Sequence, residues 1–123
     1  MVEMAIALGY GDNVTYFTSL GDELVAMFSS AFYNETSNCW DNCCQSAMSM
    51  AYLAGAVSPD QIPTLTTTLV NDIVNTNQNH VTVGIIGLKA LFPTLTLLQQ
   101  NDVAVNLAEQ TTPPSIGEGI VTS

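Results

Sequence analysis

The amino-acid sequence predicts an all-α chain built as stacked helical hairpins, on three observations. Apolar residues recur at spacings of three and four through most of the chain, and no stretch sustains the apolar-polar alternation of a half-buried strand. Glycines, prolines and a Ser-Pro-Asp helix start cut that pattern into segments of helical length. The segments also alternate: twice, an amphipathic helix is followed by one that is small-sided or strongly apolar. Hairpins of that kind bury a face only against neighbouring hairpins.

In chain order, residues 1–8 read as the end of a helix closed by Gly9 and Gly11. The segment 13–33 places Val14, Phe17, Leu20, Leu24, Phe28 and Ala31 on one stripe of an amphipathic helix. A loop from Asn34 to Asp41 follows. Residues 42–54 form a second helix whose small residues (Ala47, Ser49, Ala51, Ala54) allow close packing, with Gly55 as its stop. Ser58-Pro59-Asp60-Gln61 is a helix start: Ser58 caps, Pro59 takes the first helical position, and Gln61 completes a capping box. Asp60 suits the positive end of the helix dipole. Ile62, Leu65, Leu69 and Ile73 then mark the buried face of a helix reaching about Thr76.

Residues 77–83 are a polar connector, and 84–98 a largely apolar helix that Pro93 is expected to kink or split, because it removes a donor and clashes with the preceding turn. Asn101 is expected to cap a last helix over 102–111, with Ala104, Leu107, Ala108 and Thr111 on one side. A Pro- and Gly-rich loop follows.

Composition narrows the function. The chain has 123 residues, which fits one domain or a piece of one. Eleven residues are acidic and one, Lys89, is basic, for a formal net charge of -10. A nucleic-acid surface and docking on an anionic membrane are both excluded, since each needs clustered cations. A salt-bridged surface is excluded as well, so the polar surface falls to Thr, Asn, Gln and Ser, among them fourteen Thr and ten Asn. The 47% hydrophobic content argues against disorder. No apolar run is long enough for a membrane-spanning helix, and the N-terminal segment, with Glu3 and no basic start, does not read as a signal peptide. Asn13-Val14-Thr15 and Asn34-Glu35-Thr36 fit the glycosylation sequon, as chance alone produces in a chain this rich in Asn and Thr.

Cys39, Cys43 and Cys44 lack the spacing and partners of a zinc site, and no metal or cofactor is expected. A Cys39–Cys43 or Cys39–Cys44 disulfide is open to the chain in an oxidising compartment, but three is an odd number. The preferred reading is three small apolar side chains beside a helix start.

Several residues in order form a recognisable series. Gly9 is followed by Asn42, Gln45 and Ala47, then His80, Thr82, Gly84, Gly87 and Leu91, then Asp102 and Ala104, and finally Gln110, Thr111, Pro114, Ser115 and Gly117. The series resembles the late part of the catalytic domain of bacterial α-L-rhamnosidases, glycoside hydrolase family 78. It covers nearly the whole chain, and it is the order and spacing together that are specific. The resemblance implies a partial (α/α)6 toroid, with residues 1–123 a fragment supplying just over two of six hairpins and no internal boundary. The implied chemistry is inverting hydrolysis of terminal α-L-rhamnosides. That needs an acid and a base carboxyl about 6.5–9.5 Å apart to leave room for water.

Departures from the family pattern matter equally. The motif that carries the family's general acid does not occur here, and the motif that carries its base would follow Ser123. No catalytic residue is therefore assigned, and the chain alone is expected to be inactive. Pro113 replaces an aromatic. Glu118 is a carboxylate in a Gly-rich loop but stands away from the base position, so it is read as solvated.

Four residues are pocket-facing by resemblance and are the candidate substrate-binding set: Asn42, Gln45, His80 and Ser115. Each has a structural alternative. Asn42 and Gln45 open a helix and suit capping as well as sugar binding. His80 suits fixing the connector by hydrogen bonds, and Ser115 lies in a turn. Trp40 is read as core rather than as a sugar-stacking platform. The expected partner is a rhamnoside in the parent enzyme. Two hairpins cut from a ring leave apolar faces uncovered, so the isolated chain is expected to self-associate or pack loosely. Two other functions stand beside this one: a complete, non-catalytic helical module binding a carbohydrate or protein partner, and a six-hairpin hydrolase of different sugar specificity.

Overall fold

The computed structural model describes residues 1–116. Helix α1 (Val2–Ala7) and helix α2 (Gly11–Phe32) pack together as a first pair. Gly9 closes α1 with φ +72°: its N–H reaches the Ile6 carbonyl at 3.1 Å, and the Tyr10 N–H reaches that of Ala5 at 2.9 Å. This two-bond ending needs one left-handed residue, which glycine supplies at least cost. Helix α3 (Gln45–Leu53) ends in the same way at Gly55. Helix α4 (Ile62–Asn71) continues into a π-helical turn (Asp72–Thr76), and helices α5 (Ile85–Leu97) and α6 (Asn101–Glu109) follow. The fold is all-α in class, with helical hairpins as predicted.

Helices α3 and α5 make the most extensive contact between elements. The core gathers Met48 and Ala51 of α3, Leu65 and Leu69 of α4, Ile73 of the π turn, Leu91 and Leu95 of α5, Leu107 of α6, and Trp40. The Leu65–Leu69–Ile73 stripe is thus the buried face that the periodicity predicts. Gly87 permits the close approach of α5 to α3: a Cβ there would lie 2.5 Å from Ser46 Oγ and 2.7 Å from Val83 Cβ. Farther along the same interface the buried Thr94 hydroxyl donates to the Ser49 carbonyl at 3.2 Å. On the exposed faces, the Thr18, Thr67 and Thr96 hydroxyls donate to carbonyls four residues back, so a surface rich in Thr bonds to its own helices.

Five local expectations are corrected. The 34–41 loop is a tight hairpin, with β1 (Tyr33–Asn34) antiparallel to β2 (Cys39–Trp40). Asn34 Oδ1 accepts from the Thr36 and Ser37 N–H groups and shapes the turn. Cys39 and Cys43 form a disulfide, against the preferred reading of three free thiols, and Cys44 is free.

The Ser58–Gln61 box closes a turn rather than starting the helix. Gln61 Oε1 accepts from both the N–H and the hydroxyl of Ser58, and α4 begins one residue later with Pro63 in its first turn. Pro93 does not split α5. Lys89, whose carbonyl loses its partner, and Pro93 itself are both exposed, while Leu91, Thr94 and Leu95 anchor the buried side. The last helix includes Asn101 and is capped by Gln100 without a side-chain bond, because Gln99 takes φ +59° and makes the α5–α6 link tight.

The amphipathic stripe of α2 forms a helix as predicted, yet no residue of α2 is buried, and only its C-terminal end, at Phe28, packs on the core. Among the described residues no helix is long and apolar enough to cross a membrane.

Candidate functional site

Three loops meet at one end of the hairpins: the turn before α3, the 77–84 connector before α5, and the 110–116 segment after α6. The turn before α3 is fixed locally. Asp41 and Cys43 take positive φ, and the Cys39–Cys43 disulfide closes the turn. Asn42 Oδ1 accepts from the Cys44 N–H at 3.2 Å, and Cys44 Sγ caps α3 by accepting from the Ala47 N–H. These contacts put Gln45 at the first helical position with its side chain fully buried.

The Gln45 amide crosses to the connector. Its Oε1 accepts from the Thr82 N–H at 3.1 Å, and its Nε2 donates to the His80 carbonyl at 3.3 Å. The connector is bent by left-handed Gln78 and Asn79 and tied back by Asn77, whose Nδ2 donates to Asp72 Oδ2 at 3.0 Å. The half-buried His80 ring spans two loops. Nδ1 lies 2.8 Å from the Asn77 carbonyl oxygen, and Nε2 lies 2.9 Å from Thr112 Oγ1. Thr112 Oγ1 donates in turn to Gln110 Oε1 at 2.9 Å, and Gln110 Nε2 donates to the Gln78 carbonyl at 3.4 Å.

Of the four candidate residues, the structure brings Gln45, His80 and the segment that holds Ser115 into one hydrogen-bonded cluster. Asn42 is exposed and turned to its own loop, and Ser115 is half-buried. Glu118 and Gly117 lie outside the described residues. Gln110 and Thr112 join the site without having been singled out for it, although Gln110 and Thr111 already stood in the recognisable series. Trp40 is buried and packs against Tyr33 with ring centroids 4.7 Å apart and planes tilted by 50°, so it belongs to the core.

The cluster offers amides, hydroxyls and one imidazole. Beside them stand the Asp72 carboxylate, bonded to Asn77, and the exposed Asp41 of the turn before α3. Among the described residues no group of three His, Cys, Asp or Glu is arranged to hold a metal ion.

The model for the bacterial alpha-L-rhamnosidase six-hairpin glycosidase domain matches residues 1–120. The chain belongs to this family. Among solved structures it is similar to an α-L-rhamnosidase from Dictyoglumus thermophilum, with TM-score 0.91 and 24% identity over 98% of this chain. It is also similar to a native α-L-rhamnosidase from Aspergillus terreus, with TM-score 0.90 and 22% identity over 98% of this chain. In each case the chain spans only 14% of the length of the protein it matches. No curated protein sequence matches it. The partial six-hairpin glycosidase expected from the residue series is therefore the family found.

Proposed function

We propose that this chain is a segment, just over two hairpins, of the (α/α)6 catalytic domain of a glycoside hydrolase that removes terminal α-L-rhamnose with inversion. The family match over residues 1–120 carries the proposal. On this reading the loop cluster forms part of the sugar-pocket wall, with Asn42, His80 and Ser115 at its rim, and both catalytic carboxylates lie on other parts of the domain. Flanking hairpins cover the apolar residues left exposed here, among them Met4, Leu24 and Ile85. The substrate is a neutral rhamnoside, which suits a strongly acidic surface better than an anionic sugar would.

The test is hydrolysis of an aryl α-L-rhamnoside by the protein that contains this chain, with the anomer released read by proton NMR. Release of the β-anomer first supports the proposal. No hydrolysis of any rhamnoside, or release of the α-anomer first, contradicts it. The 123-residue chain alone is expected to leave the substrate intact.

A further inference from the structure

We propose that Gln45 is a positioning residue that sets the place of the 78–82 connector and, through it, of the 110–112 segment, and that it does not itself touch the sugar. The inference rests on the site reading above. The Gln45 side chain is fully buried, so it shows no surface to a ligand. Both ends of its amide are already used on backbone groups 35 and 37 residues away, at His80 and Thr82. A side-chain amide presents the same donor and acceptor as a peptide unit. Gln45 therefore pairs with the connector as a neighbouring strand would, at a place where no strand exists.

What Gln45 holds links α3 to the third loop. The connector passes two bonds onward, from the Gln78 carbonyl to Gln110 Nε2 and from His80 Nε2 to Thr112 Oγ1. The order is then Gln45, connector, His80 and Gln78, and last the 110–112 segment. Gln45 has no bond of its own to that last segment. A change at residue 45 is therefore expected to reach residues 110–112 through the connector.

Two substitutions separate positioning from ligand binding. Gln45→Met keeps the volume and strands the Thr82 N–H and the His80 carbonyl without partners. Gln45→Glu keeps the acceptor for Thr82, but an ionised carboxylate cannot donate to the His80 carbonyl. Once protonated, it can do both.

The experiment is peptide-resolved amide hydrogen exchange on the protein that contains this chain, each variant compared with wild type at the same pH. In Gln45→Met, exchange should quicken about tenfold in peptides covering both 78–82 and 110–112, a loss on the scale of one stranded buried hydrogen bond, while α4 stays at the wild-type rate. In Gln45→Glu, the excess exchange should shrink toward wild type as pH falls through the carboxyl's titration. Rhamnoside hydrolysis should show a lowered kcat with KM within about twofold of wild type, as expected when geometry rather than binding is lost.

Unchanged exchange at 110–112 in Gln45→Met overturns the proposal, as does a several-fold rise in KM with kcat intact. If Gln45→Met loses protection in α4 as well, the pH series of Gln45→Glu decides: an excess that stays constant with pH overturns it. If the wild-type protein hydrolyses no rhamnoside, the functional reading fails while the exchange results still judge Gln45.

Discussion

Two regions of this chain obey the same helical periodicity and end in opposite states. In the α3–α6 region, Met48, Leu65, Leu69, Leu91, Leu95 and Leu107 are all buried in one core. In the α1–α2 pair, a 22-residue helix with a clear apolar stripe buries none of its residues. Met27 is 60% exposed and Met4 is 61% exposed, whereas Met48 is fully buried. An apolar groove of about 490 Å³, lined by Leu24, Met27, Phe28 and Phe32 among others, lies open on α2. Amphipathic pattern specifies a helix and the side it would hide; whether that side is hidden depends on a neighbour. In the packed region the neighbour is another helix of the chain. For α1–α2, on the reading proposed here, it is a further hairpin of the toroid.

The comparison can be broken by substitution. The largest effect is expected from Leu91→Ala, which empties a fully buried site facing α3 and should cost about 2–5 kcal/mol in urea unfolding. Gly87→Ala comes next. Its new methyl meets Ser46 Oγ and Val83 and should cost about 1–3 kcal/mol, with part of the loss recovered in a Gly87→Ala, Ser46→Gly double variant. Thr94→Val removes the bond to the Ser49 carbonyl and should cost about 1 kcal/mol. The smallest effect belongs to the other region: Leu24→Ala in the 123-residue chain, kept monomeric by dilution, should stay within about 0.5 kcal/mol. In the larger protein the same substitution should cost as much as a core change, about 2 kcal/mol or more. Equal and small costs for Leu24→Ala and Leu91→Ala in the short chain would erase the distinction.

The fold was readable where local chemistry and packing agree. Leu65, Leu69 and Ile73 recur with the helical period and are buried together; Gly9 and Gly55 stop helices because only their backbone takes left-handed φ cheaply. It was misread where two local signals compete. Pro59 and Pro63 both suit a helix start, and the Gln61 side chain settles the choice by closing the turn on Ser58. Pro93 is a breaker by rule, yet it stands on the exposed face of a helix whose other face is anchored on α3. The Tyr33–Trp40 hairpin has only two residues in each strand, too few for any alternation to register.

The candidate site was legible in part and for a different reason. The residue series placed Asn42, Gln45, His80 and Ser115 in order, but their roles depend on contacts 32 to 37 residues apart in sequence. Local pattern carries no information about such contacts. The Gln45 amide read first as a helix cap and second as a sugar ligand; its partners are the connector's own backbone.

Methionine oxidation tests the contrast between the two regions most directly. The protein that contains this chain would be exposed to a short pulse of peroxide or hydroxyl radical, and sulfoxide formation measured at Met4, Met27 and Met48 by peptide mass spectrometry. If flanking hairpins cover α1 and α2, Met4 and Met27 will be protected nearly as well as Met48, and in the 123-residue chain as a monomer both will react far faster than Met48. If Met4 and Met27 oxidise at the rate of free methionine in the larger protein too, no hairpin covers that face, and the chain is not a slice of a closed toroid.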